Sequence, residues 1–259
     1  MHILVTNDDG VAAPGLLALV QALRPLGKVS VVAPDRNWSA SGHVKTLHRP
    51  LRAREVTLAD GTPALASDGA PSDCVALALL GLLPDKVDVV VSGINPNANI
   101  GHDVTYSGTV TAAMEAVIWG VPGVAVSLDS PKDHQGALDV RDNWDYTPAA
   151  QVARDVVERV MRFGLPKDTL LNVNVPYLQL EEIRGVQVTR QGLRVYRDAL
   201  VRREDPQGRP YYWIGGEAPT GVPEEGTDFG ALKAGYVSVT PLHLDLTSYE
   251  ALRGLQKWW

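Results

Sequence analysis

The stretch His2–Leu23, HILVTNDDGVAAPGLLALVQAL, decides the fold. His2–Thr6 is rich in aliphatic and β-branched residues, too short for a helix and fit for a buried strand. Asn7-Asp8-Asp9-Gly10 breaks it with turn formers, and Pro14 then opens a helix through Leu23, since proline suits a first helical turn. A buried strand, a polar turn and a helix in succession are the opening of a parallel βαβ unit.

Working outward, the pattern repeats. Lys28–Ala33 is a second strand ended by Pro34, and Ser72–Leu83 a helix with Asp73 in its first turn, where a carboxylate offsets the dipole. Strand Val87–Val91 leads into a long polar loop, Ser92–Ser107, followed by helix Thr109–Trp119 and strand Val124–Leu128. Over Thr147–Phe163, Val152, Val156, Val160 and Phe163 share one helical stripe, with Arg154, Asp155, Glu158, Arg159 and Arg162 largely opposite; strand Leu170–Val175 follows. After Ile183 the texture changes. Val186–Arg190, Leu193–Val201 and Tyr211–Ile214 read as antiparallel strands with a turn at Asp205-Pro206-Gln207-Gly208, and Tyr236–Thr240 as one more strand. The expected architecture is α/β, doubly wound on a mainly parallel sheet, with the core over 1–182. A smaller hairpin-rich C-terminal part over 183–259 is expected to pack back on that core.

Composition narrows the function. The chain has 259 residues, 45% hydrophobic and 21% charged, with a net charge of −6, which argues against a nucleic-acid polymer as partner. The longest apolar run, Val75–Leu83, is far short of the ~20 residues a membrane span needs. No basic region precedes an apolar stretch at the N-terminus, so the expectation is a cytoplasmic protein. Cys74 is the one cysteine, which excludes a disulfide framework and a cysteine-based zinc site.

Three polar loops follow apolar strands: Asn7–Gly10, Asp35–Gly42 and Ser92–Ser107. In an open parallel sheet, ligands bind beyond the carboxyl ends of strands near a switch in strand order, so these loops can share one site. Asp8-Asp9-Gly10 is locally a plain turn. Yet two adjacent carboxylates at a buried strand end repel and lose solvation unless a cation or donors neutralise them, and hard oxygen ligands suit Mg²⁺ or Mn²⁺. Asn95, Asn97 and Asn99 offer amide oxygens, and Ser39 or Ser41 a hydroxyl; each residue type is also common in loops and caps. Tyr106-Ser107-Gly108-Thr109 runs into a helix and reads as an anion site or as simple capping by Ser107. His43 and His102 lie in these loops as candidate proton donors. The dinucleotide glycine fingerprint and the Walker phosphate loop are absent.

At these residues the chain resembles the stationary-phase survival protein SurE family of metal-dependent nucleotidases. The matching stretches are ILVTNDDGVAAPG (3–15), VVAPDRNWSASGH (31–43), SDGAPSDCV (67–75), SGINPNANIGHDVTYSGTVTAAMEA (92–116), RREDPQGRPYYWIGGE (202–217) and GTDFGALKAGYVSVTPLHLDLT (226–247). The resemblance implies a Rossmann-like domain. It implies divalent-metal-dependent hydrolysis of nucleoside 5′- or 3′-monophosphates, with polyphosphate as a further substrate in some members. It puts one divalent ion per subunit (Mn²⁺, Mg²⁺ or Co²⁺) on Asp8, Asp9, Ser39 and Asn95, and the phosphate-facing turn on Ser107, Gly108 and Thr109. It also implies a homodimer or homotetramer built through C-terminal elements. The chain departs from the family's usual residues at Asn97 and Ala116 (both glycine there) and at Ala70 (threonine there). None is a metal ligand.

The reading is a 5′-nucleotidase, a phosphomonoesterase in which Asp8 or Asp9 orients water or accepts its proton. The competing reading is a nucleotide- or metal-binding protein without turnover.

Overall fold

A computed structural model describes residues 1–129 and 144–259 of the chain. β1 (His2–Thr6) is central and wholly buried. Its register pairs it parallel with β2 (Lys28–Pro34) on one side and β5 (Val89–Asn95) on the other, with Ile3 opposite both Val29 and Val89. The main sheet has nine strands in the order β3-β4-β2-β1-β5-β6-β7-β11-β8. The remaining members are β3 (Ala53–Thr57), β4 (Pro63–Ser67), β6 (Gly123–Leu128), β7 (Thr169–Val175), β8 (Val186–Val188) and β11 (Val237–His243). All pairings are parallel except β3 with β4 and β11 with β7. The expected α/β, doubly wound, mainly parallel Rossmann-like fold is what forms.

The faces of β1 show why the sheet is covered on both sides. Ile3 and Val5 pack with Leu16, Leu19 and Val20 of α1 (Pro14–Leu23) and with Val156 and Val160 of α4 (Thr147–Phe163). Leu4 points the other way, to Cys74 and Val75 of α2 (Pro71–Leu77) and Ala112 and Ala116 of α3 (Gly108–Ile118). Each such side chain, fully buried, contributes about 1.5–3 kcal/mol, and a strand buried on both faces reads as a continuous apolar run. Ala116 lies in this packed layer, and burial pushes the Cys74 thiol's pKa up, leaving it an inert filler.

Several boundaries differ from expectation, for local reasons. β5 continues through Ser92-Gly93-Ile94-Asn95, all buried, so the polar loop begins at Pro96 and Asn95 closes a strand. Pro34, expected to follow the end of β2, is its last residue, opposite Ser67. The helix expected over Ser72–Leu83 is α-helical from Pro71 to Leu77 and then widens into a five-residue turn, Ala78–Leu82, where Gly81 takes φ +117°. The 53–67 segment, with no strand expected, holds β3 and β4: β3 is largely exposed at the sheet edge, and β4 is one proline, two alanines, one leucine and one serine.

The C-terminal stretch divides its work. β8 pairs parallel with β11, not antiparallel as its position suggested, and both extend the main sheet. β9 (Arg194–Glu204) and β10 (Pro210–Gly221) form a separate antiparallel ribbon across the expected Asp205–Gly208 turn. α5 (Asp228–Lys233) follows, and α6 (Tyr249–Leu255) runs into a closing 3-10 turn, Gln256–Trp258.

The ribbon's base is tied to the sheet by Asp228, which is fully buried. Its carboxylate accepts the backbone N–H groups of Gly101, Gly192 and Phe229, each at 2.8 Å. Removing a buried acceptor strands its donors, at about 1–3 kcal/mol for each. Asp228→Ala is therefore expected to lower the unfolding free energy by about 3 kcal/mol or more in urea denaturation; an unchanged midpoint would contradict this role.

Candidate active site

Strand order places the site. The chain leaves β1 for β2 on one side and returns through β5 on the other, so the loops after β1 and β5 diverge at a switch point. The loop after β2 opens beside them. These are the three loops singled out in the sequence.

The Asn7–Gly10 turn is built by its own side chain. Asn7 Nδ2 donates to the Gly10 carbonyl at 2.9 Å, and the Gly10 N–H donates back to Asn7 Oδ1 at 3.2 Å. Gly10 needs φ +105°, and a Cβ there would stand 3.2 Å from the Arg36 backbone, so glycine serves both the turn and the approach of the β2 loop. That loop is fastened by the Trp38 N–H, which donates to the Asp8 carbonyl at 2.7 Å. Asp8 is thereby buried, while Asp9 beside it is half-buried.

The Asp8 carboxylate sits on the first turn of α3. The Thr109 hydroxyl donates to Oδ1. Burial pushes the Asp8 carboxyl pKa above the usual carboxylate range, opposed by the Thr109 hydroxyl and by backbone N–H groups that include Thr109's own. A Cβ on Gly108 would fall 2.7 Å from the Asp8 Cβ and 3.1 Å from Oδ2. Glycine is thus required for the carboxylate to reach the positive end of the helix. Ser107 caps α3 through Oγ, which accepts the Val110 N–H at 3.1 Å. Thr109, expected to face phosphate, is placed on Asp8.

Ser39 is exposed one residue beyond the Trp38–Asp8 bond, its N–H donated to Asn37 Oδ1 at 2.7 Å. Asn95 is buried at the end of β5, and its Nδ2 donates to the Asn97 carbonyl, which turns Oδ1 the other way. Two carboxylates with a neutral hydroxyl and a neutral amide oxygen suit a hard divalent cation, and their charge cancels it without excess. Among the described residues no group of three or more His, Cys, Asp or Glu gathers. The cradle formed at Gly108 fits such a cation as well: a buried carboxylate that Thr109 offsets only in part gains from its charge.

His43 is drawn away from these oxygens. Its Nε2 lies 2.9 Å from Oε2 of Glu115, on α3, and His102 is exposed. The composition gave no cue to Glu115, nor to the network that sets the loop after β5. There the Asn99 N–H donates to Asn174 Oδ1 at 2.8 Å and Asn99 Nδ2 to Ser127 Oγ at 2.8 Å. The Asn99 carbonyl accepts Nδ2 of Asn172 at 2.7 Å and of Asn174 at 3.1 Å. The signal was present: two asparagines, both buried, interrupt the apolar strand Thr169–Val175.

The chain is similar to known proteins over most or all of its length. The family model described as survival protein SurE matches residues 3–198. The chain is 55% identical over 258 residues to a protein named 5′-nucleotidase SurE from Chloroflexus aggregans, covering 100% of this chain and 99% of that one. It is 54% identical over 255 residues to the protein of the same name from Herpetosiphon aurantiacus, covering 98% and 97%. Among solved structures, the SurE protein from Aquifex aeolicus superposes with a TM-score of 0.82 at 44% identity, covering 100% of this chain and 99% of that one.

The contact at Gly108 yields a direct test. Gly108→Ala forces α3 and Asp8 apart, and crowding of this kind costs about 1–3 kcal/mol. Unfolding free energy measured in denaturant is expected to fall by that amount; full retention would show that the turn has room to spare.

Proposed function

The chain belongs to the survival protein SurE family, and from that premise we propose how its site works as a nucleoside monophosphate phosphatase. The enzyme is a hydrolase of the 5′-nucleotidase type, releasing nucleoside and phosphate. The observation that carries the mechanism is the seating of Asp8, a buried carboxylate at a strand end, on the first turn of α3.

In this reading Asp8, Asp9, Ser39 Oγ and Asn95 Oδ1 hold one divalent cation per subunit, Mn²⁺, Mg²⁺ or Co²⁺. Such a cation supplies Lewis acidity to a phosphoryl oxygen and lowers the pKa of water. Asp8 or Asp9 orients the attacking water or accepts its proton. The Ser107–Gly108–Thr109 turn stands at the positive end of α3, where the helix dipole favours charge on phosphoryl oxygens. Thr109 contributes by fixing Asp8, and Asn95 is oriented by its bond to the Asn97 carbonyl. Cytoplasmic action fits Cys74, a single buried thiol.

We also propose a homodimer or a dimer of dimers. The ribbon strands pair with each other and leave large side chains in water: Leu200 is 71% exposed, Trp213 63% and Ile214 86%. A two-stranded ribbon is marginal alone, and aromatic anchors of this kind concentrate energy at interfaces. Folding back onto the chain's own core, the other use open to them, leaves such residues covered.

Two outcomes are expected. Chelation abolishes phosphate release from nucleoside monophosphates and Mn²⁺, Mg²⁺ or Co²⁺ restores it, while Asp8→Asn or Asp9→Asn lowers turnover and metal affinity together, by at least about tenfold. Full activity in excess chelator, with zero metal content confirmed, would refute the cation site. In light scattering the parent is expected as a dimer or tetramer at micromolar concentration, and replacing residues 196–212 by a short Gly/Ser linker lowers the assembly state; a monomeric parent would end the oligomer reading.

A further inference from the structure

The loop that carries Ser39 has no regular structure of its own. Between β2 and β3 it spans residues 35–52, and Leu47, its one leucine before Leu51, is 84% exposed. Polar bonds hold it. The Gly42 N–H donates to the Tyr106 carbonyl at 2.9 Å, and the Thr111 hydroxyl to the Gly42 carbonyl at 3.1 Å. The Ser72 hydroxyl donates to the Val44 carbonyl. Thr46 donates its N–H to Asp73 Oδ1 at 2.8 Å and its hydroxyl to Oδ2 at 2.7 Å.

A second buried carboxylate in this seam is that of Glu115. It meets three donors: His43 Nε2 at 2.9 Å, Lys45 Nζ at 3.1 Å and Trp119 Nε1 at 2.8 Å. Two of the three come from the loop. Burial alone would raise its pKa; the bonds from His43, Trp119 and Lys45 outweigh that and hold it at about 2. Gly108, Thr111 and Glu115 recur at i, i+3 and i+7 of α3, so one face of one helix meets Asp8, then Gly42, then His43 and Lys45. A buried charge is a poor way to stabilise a core, since apolar replacement is often neutral or better, and its attested use is to fix register.

We propose that Glu115 is a positioning residue for the phosphatase reaction: by clamping His43 and Lys45 it sets the register of the 36–46 loop on α3, and so the reach of Ser39 toward Asp8 and Asp9. This inference rests on the proposed cation site. It assigns Glu115 no contact with the substrate or the cation.

The test uses the full chain and the variants Glu115→Gln, His43→Gln, His43→Ala and Lys45→Met. Hydrogen exchange in metal-free protein reads the loop directly, and calorimetric titration with Mn²⁺ reads the site. In Glu115→Gln, amide exchange over 38–46 is expected to accelerate at least about tenfold with β1 and β5 unchanged, and the Mn²⁺ Kd to rise by about tenfold. His43→Ala reproduces part of the effect. His43→Gln, which keeps a donor, restores most of it. With saturating Mn²⁺, KM for a nucleoside monophosphate is expected to move more than kcat. Should Glu115→Gln fail to fold, the His43→Ala/Lys45→Met pair, which leaves the Trp119 bond intact, carries the same comparison. Folded variants with parental loop exchange and parental Mn²⁺ Kd would overturn the proposal. Parental Mn²⁺ binding in Asp8→Asn would instead remove the cation site beneath it, while faster loop exchange in Glu115→Gln would still support the clamp itself.

Discussion

The burial of one carboxylate against one helix end organises this molecule. Asp8 leaves β1 into a space where a lone charge costs several kcal/mol, and the surrounding residues answer that cost in turn. Thr109 supplies a hydroxyl and an amide, and bonds to a charged group are worth about 1.5–3 kcal/mol each. Gly108 supplies absence, since any Cβ would collide with Asp8. Asn7 and Gly10 fix the turn that aims the carboxylate, and Trp38 brings the neighbouring loop onto its carbonyl. The Asp8 pKa nevertheless remains raised, so donors within the protein offset burial incompletely. The cation proposed above would complete that balance.

Much of this was legible in the residues. A strand buried on both faces cannot hide its composition, so β1, α1, α4 and the parallel order follow from apolar runs alternating with helical stripes. The three loops were legible because polar residues follow such strands directly. What escaped were elements whose partners lie far away in the chain. β3 and β4 have weak intrinsic preference and form because the sheet edge offers hydrogen bonds. β5 runs through Ser92 and Asn95 because flanking strands pair with it, whatever its polarity. Glu115 looked like an ordinary helix carboxylate, and only the fold brings His43 and Lys45 to it across some 70 residues of sequence.

The same distinction separates scaffold from working surface. The sheet is secured by aliphatic packing, but the loops at its carboxyl edge are secured by single polar side chains: Asn99 with Asn172 and Asn174 after β5, Asp228 at the base of the ribbon, Asp73 and Glu115 beneath the β2 loop. Directional bonds fix the position of a loop more narrowly than apolar contact, and an oxygen set for a small hard cation needs that narrowness. The exposed aromatic and aliphatic side chains of the ribbon lie outside this arrangement, on the surface proposed above for association.

The most direct measurement is anomalous diffraction from a crystal of the protein grown with Mn²⁺. A single strong peak per subunit is expected within bonding distance of Asp8 and Asp9, with Ser39 Oγ and Asn95 Oδ1 turned toward it and the Thr109–Asp8 bond retained. A peak held by other residues, or none at a Mn²⁺ concentration that saturates turnover, would contradict the assignment of Asp8 as the buried ligand around which the site is built.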